Sequence, residues 1–227
     1  AALGPAVRRS RPDLVIEEFT PPIGFCGLPW WTRAPVILMV QWNFFEQWER
    51  RYHLPFRRWM ERVAQRGRYR HVIVQSDAMA RELQVLLPEA TIRRIACGID
   101  DDAFTESQEL GQYVLFLGRL EKEQKGLDLL MQAWSRVCAA SGIPLVIAGE
   151  GPARADLEAW IQREQLGHLV RLTGRVEGQA KHDLLRGARV FAMPSRFETF
   201  GITALEAMAA GKPVVCFDIA HLNEFAA

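Results

Sequence analysis

Two glutamates on either side of a glycine are the residues of this sequence best suited to chemistry. Glu198 and Glu206 lie in the stretch PSRFETFGITALEAMAAGKPVV, residues 194–215, and Gly201 lies between them. A glycine lets the backbone approach a ligand closely, and the first N–H groups of a helix that opens at Ile202 favour an anion. Carboxylates accept hydrogen bonds from hydroxyls. The stretch therefore predicts a site for a ligand that carries hydroxyls beside phosphate.

Two cations follow an earlier apolar run and could bind that phosphate. Arg119 and Lys125 come after YVLFLG, residues 113–118. Arginine offers a planar fork of donors, and lysine offers a mobile point charge. Each residue alone is equally typical of a surface cation, and each glutamate alone is typical of a solvated helix position or a partner of the helix dipole. Their combination at neighbouring strand ends favours a common site.

The second half of the sequence alternates apolar runs with helix-type segments. The runs are continuous rather than alternating, which is typical of parallel strands covered by helices on both faces. Ligands of such open sheets bind beyond the carboxyl ends of the strands, where these candidate residues lie. We predict strands at 113–118, 144–149, 169–174, 189–194 and 213–218, and helices at 126–140, 153–165, 180–188 and 201–211. In the last helix we expect Leu205, Met208 and Ala209 to form the apolar face, and Ala204, Ala207 and Ala210 to let the helix pack closely.

The first half is less regular but of the same type. Apolar runs predict strands at 13–19, 35–40, 71–76 and 91–96, and helices are expected at 55–66 and 77–86. Ser76 or Asp77 is suited to cap the second helix. The polar segment 101–110 predicts a boundary between a domain at 1–109 and a domain at 110–227. The predicted class is α/β, with two Rossmann-like, doubly wound parallel-sheet domains.

Composition excludes several other classes of protein. The 227 residues carry a formal net charge of +1, so no overall field indicates nucleic acid as a partner. The four cysteines are far apart and without metal-ligand spacing, which favours a reduced, cytoplasmic protein. Clusters of arginine such as 8–11 are interpreted as solvated faces, and the Trp-rich stretch 30–48 as core or interface packing. A peripheral membrane contact at that stretch is left open.

Three blocks together resemble a known family. PSRFETFGITALEAMAAGKPVV, GRLEKEQKGLDLLMQAW and LVIAGEGP are similar, in order and spacing, to the signature blocks of family 4 retaining glycosyltransferases of the GT-B fold. RPDLVIEEF, APVILMVQW and IRRIACGIDDDAF are more loosely similar to the later part of that family's acceptor domain and linker. The resemblance implies a partial acceptor-side domain followed by a nearly complete donor domain, in a chain shortened at both ends.

By this resemblance, the glutamates hold the two ends of one donor. Glu198 contacts the donor sugar, Glu206 contacts the ribose, and Arg119 and Lys125 bind the diphosphate. Residues 174–176 line the base. The implied catalytic residues are Glu198, Arg119 and Lys125, and the implied donor-binding residues are Gly118, Arg119, Lys125, Gly174, Arg175, Val176, Glu198, Phe200, Gly201, Ile202, Thr203 and Glu206. No metal and no cofactor are expected.

Two features require separate interpretation. Family members commonly carry a histidine after the strand that corresponds to 35–40, where this chain has Gln41, which cannot take a proton at neutral pH. The Asp100–Asp102 pattern could hold a metal in another glycosyltransferase fold, but its place beside the linker favours a polar hinge. His182 and His221 lack metal-ligand spacing and are expected to be solvated or capping residues.

The resulting hypothesis is a metal-independent, retaining glycosyltransferase (EC 2.4) that moves a sugar from a nucleotide-diphosphate sugar to a hydroxyl acceptor. Little activity is expected from this chain alone. Two alternatives stay open: a catalytically silent nucleotide-sugar-binding or interaction module, and a GT-B-like sugar-nucleotide epimerase. The donor is a nucleotide sugar, the acceptor is unknown, and the expected location is cytoplasmic, with contact at the inner face of a membrane left open.

Overall fold

The chain divides into two units, each built on one parallel sheet. The computed structural model describes residues 3–19, 27–41, 69–104, 111–219 and 222. The units are Ala1–Cys97 and Gly98–Ala227, so the division falls earlier than the predicted boundary between 109 and 110. The predicted helix 55–66, Cys26, Trp42, Trp48 and His221 lie outside the described residues.

The sheet of the first unit has the order β1-β2-β3-β4. Its strands are β1 (Val15–Phe19), β2 (Val36–Val40), β3 (His71–Val74) and β4 (Thr91–Arg94), and its helices are α1 (Leu3–Ser10) and α2 (Asp77–Leu86). The predicted cap is present, because the Ser76 hydroxyl oxygen accepts a hydrogen bond from the Met79 amide at 3.1 Å. Met79 and Leu83 then face the core against β2 and β3.

One carboxylate is buried in this first unit. Glu17 on β1 accepts hydrogen bonds from the Tyr69 hydroxyl at 2.6 Å and from the amides of Gly27 and Leu28 at 3.0 and 3.3 Å. Burial raises the pKa of Glu17, and these three hydrogen bonds oppose the rise. The carboxylate thereby fixes the start of the short 3₁₀ helix Leu28–Trp30.

The sheet of the second unit has the order β7-β6-β5-β8-β9, with every pairing parallel. The strands are β5 (Tyr113–Leu117), β6 (Leu145–Ala148), β7 (Val170–Gly174), β8 (Ala188–Met193) and β9 (Val214–Cys216). The helices are α3 (Lys122–Lys125), α4 (Leu127–Ser141), α5 (Arg154–Arg163), α6 (Gly178–Gly187) and α7 (Ile202–Ala209).

Helices cover both faces of this second sheet. Phe116 and Ile147 pack on one face with Trp134 of α4 and Trp160 of α5. Leu115 and Val146, one position away along the same strands, pack on the other face against α6 and α7. Successive residues of β5 and β6 point to opposite faces of the sheet. Because helices cover both faces, residues on either face need apolar side chains, which explains the continuous apolar runs. The predicted α/β class with two parallel sheets is confirmed.

Three details differ from the prediction. The helices α1 and α3 were not predicted, because α1 begins with Gly4 and Pro5 and α3 is a single turn. The apolar face predicted for α7 is wrong, since Met208 is 44% exposed and the buried residues are Ala204 and Ala207. The small side chains of Ala204 and Ala207 let this helix pack close to the sheet. The size of the side chains, and not their hydropathy, therefore decides which face of the helix is buried.

The tryptophans that lie in the described part differ in environment. Trp30 packs against the core of the first unit, as predicted. Trp31 is 46% exposed, and the Arg8 guanidinium lies 5.6 Å from its ring centroid. Arg8 also donates from Nε to the Trp31 carbonyl at 3.0 Å. The arginine cluster is therefore partly engaged by an aromatic surface rather than fully solvated.

Candidate functional site

The strand order of the second unit has a topological switch point between β5 and β8. From β5 the chain proceeds to β6 and β7 in one direction, then returns to place β8 on the other side of β5. The loops that follow β5 and β8 leave the sheet at this switch point. In open α/β sheets this is the position at which ligands bind.

The two loops meet through a lysine and a glutamate. Lys125 Nζ lies 2.6 Å from Glu198 Oε1, and the Ser195 hydroxyl donates to the same oxygen at 2.7 Å. Glu198 is only 4% exposed, and Ser195 is fully buried. A buried carboxylate requires a cation and hydrogen-bond donors, and these neighbours supply both. The two residues are 73 positions apart in the chain, and strand order brings them together.

Glycines lie at the carboxyl ends of three neighbouring strands, β5, β6 and β7. The Gly118 amide donates to the Ala148 carbonyl at 3.0 Å, and the Gly149 amide donates to the Gly174 carbonyl at 2.7 Å. A Cβ at Gly149 would lie 1.8 Å from the Gly118 carbonyl oxygen, so no side chain fits there. The edge beside Lys125 is therefore lined by backbone, which gives a ligand room to approach.

The helix α7 begins directly beyond Glu198. Gly201 is its N-cap residue, in the left-handed conformation and without a side-chain cap hydrogen bond, and Phe200 before it is buried. Ile202 and Thr203 form the first turn, where N–H groups favour an anion. A phosphate could therefore lie between this helix end and Lys125.

The second glutamate also has a lysine partner. Glu206 Oε1 lies 2.8 Å from Nζ of Lys181, a residue of α6. Both side chains are mostly buried. Glu206 therefore keeps a fixed position one helical turn beyond the N-terminus of α7.

The other predicted residues lie around this site with different exposures. Arg119 is exposed and donates from Nη2 to Gln124 Oε1 at 2.9 Å. Arg175 is exposed and paired with Glu177, whereas Val176 packs against the core. Gly174 is close to another side chain, since a Cβ there would lie 3.0 Å from Glu150 Oε1.

Sequence reasoning missed four residues of this arrangement. Ser195 and Arg196 lie inside the stretch that was singled out, and a polar residue beside a candidate carboxylate was the available signal. Asp128 and Lys181 gave no signal, because only the fold brings them near the glutamates. Arg196 forms two hydrogen bonds to the Asp128 carboxylate, at 2.8 and 2.6 Å. This guanidinium lowers the pKa of Asp128.

The acidic pattern beside the linker forms a turn. Asp101 and Asp102 open a 3₁₀ turn, Asp101–Ala103. In the described part of the chain, no group of three or more His, Cys, Asp or Glu side chains is arranged to hold a metal ion. Over the same residues, none of the helices combines the length and apolar character needed to cross a bilayer. Gln41 follows β2 directly and is half-buried.

Comparison with solved structures defines the class of fold. Anabaena HepE, solved in complex with UDP and glucose, superposes with a TM-score of 0.75 at 18% identity, over 99% of this chain and 65% of that one. At this identity the likeness concerns the fold alone. The chain therefore has the GT-B architecture that was predicted, with two parallel α/β sheets.

Comparison of sequences gives the family. The profile of the glycosyl transferases group 1 family matches residues 111–227, and that of glycosyltransferase family 4 matches residues 1–103. This chain belongs to the glycosyl transferases group 1 family. The predicted family is confirmed.

Two curated relatives illustrate the range of similar proteins. An uncharacterised glycosyltransferase of Methanocaldococcus jannaschii is 38% identical over 58% of this chain and 31% of its own length. The phosphatidyl-myo-inositol mannosyltransferase of Mycobacterium tuberculosis is 34% identical over 65% of this chain and 40% of its own length. The chain thus spans less than half the length of these relatives.

Proposed function

We propose that the second unit of this chain binds the donor of a retaining glycosyltransferase, which moves a sugar from a nucleotide-diphosphate sugar to a hydroxyl acceptor. The observation that carries the proposal is the contact between Lys125 and Glu198 at the switch point. A diphosphate needs a cation, and a sugar needs a hydrogen-bond acceptor. Lys125 offers the cation and Glu198 the acceptor, and the two side chains are in direct contact beside a helix N-terminus.

Each residue has a stated role in this proposal. Lys125 and the exposed Arg119 bind the diphosphate and stabilise the negative charge that develops as it leaves. Glu198 Oε1 is held by Lys125 and Ser195, and Oε2 accepts a hydrogen bond from a sugar hydroxyl. Glu206 accepts from the ribose hydroxyls. The backbone around Gly201, Ile202 and Thr203 contributes amides to the phosphate, and residues 174–176 line the base.

The proposed reaction needs no metal. The bond between the anomeric carbon and the donor phosphate oxygen breaks, and the nucleoside diphosphate leaves with the electron pair. The acceptor oxygen bonds to the same face of that carbon, and its proton goes to the leaving phosphate oxygen. No nucleic-acid partner is proposed.

The relatives support a sugar-nucleotide donor but differ in what their names describe. The Mycobacterium tuberculosis relative is named for transfer of mannose to phosphatidyl-myo-inositol, and the Anabaena structure contains UDP and glucose. We therefore propose a nucleotide sugar as the donor and leave its sugar, its nucleotide and the acceptor open. A cytoplasmic location and a peripheral membrane contact at Trp31 and Arg8 belong to the same proposal, because an exposed aromatic beside arginine suits an anionic lipid surface.

The test is calorimetric titration of the chain with UDP-, GDP- and ADP-sugars and with the free diphosphates. We expect one nucleotide series to bind. Lys125→Met should weaken binding of the free diphosphate and of the sugar nucleotide by about tenfold. This loss corresponds to the binding free energy of one charge-assisted hydrogen bond. Glu198→Gln should weaken the sugar nucleotide more than the free diphosphate, because the proposed contact is with the sugar.

A matched control uses an ion pair remote from the proposed contacts. Arg186 of α6 pairs with Asp183 at 3.5 Å on the surface, and Arg186→Gln should leave both affinities unchanged. Absence of binding by all three series would contradict the proposal. Binding with no transfer by any longer form of the protein would favour the silent module, and interconversion of the sugar nucleotide without an acceptor would favour the epimerase.

A further inference from the structure

The lysine of the proposed site, Lys125, lies on α3, a helix too short to be stable by itself. Lys125 is the last residue of α3, a helix of a single turn. Nucleation of a helix is costly, so an isolated turn has little stability in water. The Glu121 carboxylate caps its start by accepting from the Gln124 amide at 2.7 Å. Further contacts must fix its end.

Arg196 supplies those contacts from the loop after β8. Its Nη1 donates to the carbonyls of Lys122 and Glu123 at 3.0 and 3.3 Å, and its backbone amide donates to the Gln124 carbonyl at 2.9 Å. The Lys122 carbonyl also accepts from the Gly126 amide at 2.9 Å, so the guanidinium adds a second donor to it. A cation is favourable at the carbonyl end of a helical turn. Arg196 thus anchors the turn that carries Lys125.

The same guanidinium also reaches the next helix. It forms two parallel hydrogen bonds with Asp128 in the first turn of α4, at 2.8 and 2.6 Å. This fork-to-carboxylate geometry is specific to arginine and fixes orientation as well as distance. The Asp128 carboxylate therefore holds the arginine that holds α3.

Arg196 belongs to the loop that carries Glu198. It follows Ser195, whose hydroxyl donates to Glu198, and it precedes Glu198 by two positions. We propose that the Arg196–Asp128 pair positions Lys125 and Glu198 relative to each other for the donor diphosphate, as a pair of positioning residues. This inference rests on the proposed function.

Solvent exposure separates this role from a purely structural one. The side chains of Arg196 and Asp128 are 38% and 35% exposed. Ion pairs at such exposure contribute little to folding stability. Loss of the pair should therefore change donor binding far more than the melting temperature. A displacement of about 1 Å in a positioned group can be costly for function.

The test compares a diphosphate with its monophosphate in Arg196→Lys and Asp128→Asn. The probes are whichever of UDP, GDP and ADP the chain binds best and the corresponding monophosphate. Both variants should lose about tenfold in diphosphate affinity and about twofold or less in monophosphate affinity, since Lys125 contacts the second phosphate. The double variant should lose no more than either single variant, because both changes remove one interaction.

The control is Arg186→Lys, which alters a surface arginine of similar exposure in a pair with Asp183. It should change neither affinity. An Arg196→Lys protein that binds the diphosphate as the unmodified chain does, or that loses monophosphate affinity equally, would overturn the inference while leaving the proposed function intact. If the unmodified chain binds neither nucleotide, both the inference and the proposed function fail.

Discussion

At the scale of residues, each glutamate of the 194–215 stretch is paired with a lysine from another element. Glu198 pairs with Lys125, and Glu206 pairs with Lys181. Because the partners are lysines on different elements, the two ends of the proposed donor site can be altered independently.

Lys181 provides a prediction at the nucleoside end. Lys181→Met should leave the partly buried Glu206 carboxylate without its cation and weaken its hold on the ribose. We expect monophosphate and diphosphate affinities to fall together, by about fivefold, in contrast to the selective loss expected for Lys125→Met. Titration of both nucleotides measures the difference. A loss confined to the diphosphate would contradict the assignment of Glu206 to the ribose.

At the scale of elements, the junction between α3 and α4 depends on one close approach. Gly126 has φ +64°, and a Cβ there would lie 1.8 Å from the Pro194 carbonyl oxygen. A residue with a side chain would therefore force the α3 turn away from the loop that carries Arg196 and Glu198. Backbone proximity therefore constrains the junction between α3 and α4 in addition to the side-chain contacts of Arg196.

Gly142 offers a matched comparison for that junction. Gly142 has φ +61°, and a Cβ there would meet no atom within 4 Å, so Gly142→Ala should cost only the left-handed backbone term, about 1–2 kcal/mol. Gly126→Ala should cost more, by about 2 kcal/mol or above, because the neighbouring backbone must move. Urea unfolding of both variants measures the difference. Equal losses would show that the close approach at Gly126 is unimportant.

At the scale of the whole molecule, the two units contain carboxylates with opposite shifts. Burial raises the pKa of Glu17 in the first unit, and Arg196 lowers the pKa of Asp128 in the second. The stability that Glu17 contributes is present at low pH and lost as pH rises through its raised pKa. The stability that Asp128 contributes is present above its ordinary pKa and lost as pH falls through the lowered one.

The two pH dependences of the free energy of unfolding can be measured by comparing the unmodified chain with Glu17→Gln and with Asp128→Asn. As pH rises from about 4 to 8, the unmodified chain should lose stability relative to Glu17→Gln. As pH rises from about 2 to 5, it should gain a small amount of stability relative to Asp128→Asn, because this ion pair is partly exposed. Hydrogen exchange of amides in β1 and in α4 reports each unit separately. Changes of the same sign in both comparisons would contradict the shifts.

Local patterns determined the predicted elements and the candidate residues. Continuous apolar runs gave the strands of both sheets, because burial on both faces requires them, and Ser76 marked the start of α2 because a cap needs a short polar side chain. Glu198, Lys125 and Glu206 could be selected because their residue types and their places after strands suit a ligand. The roles assigned to them remain proposals.

Tertiary structure decided what those residues contact. Strand order brings Lys125 to Glu198 across 73 positions, and packing brings Lys181 to Glu206 and Arg196 to Asp128. It also leaves Met208 of α7 exposed, where an apolar face had been predicted. Local sequence could not give these contacts, because they depend on which strand follows which in the sheet and on how closely two backbones approach. Sequence alone supplied candidate residues through their types and their places after strands, and the fold determined which of them meet.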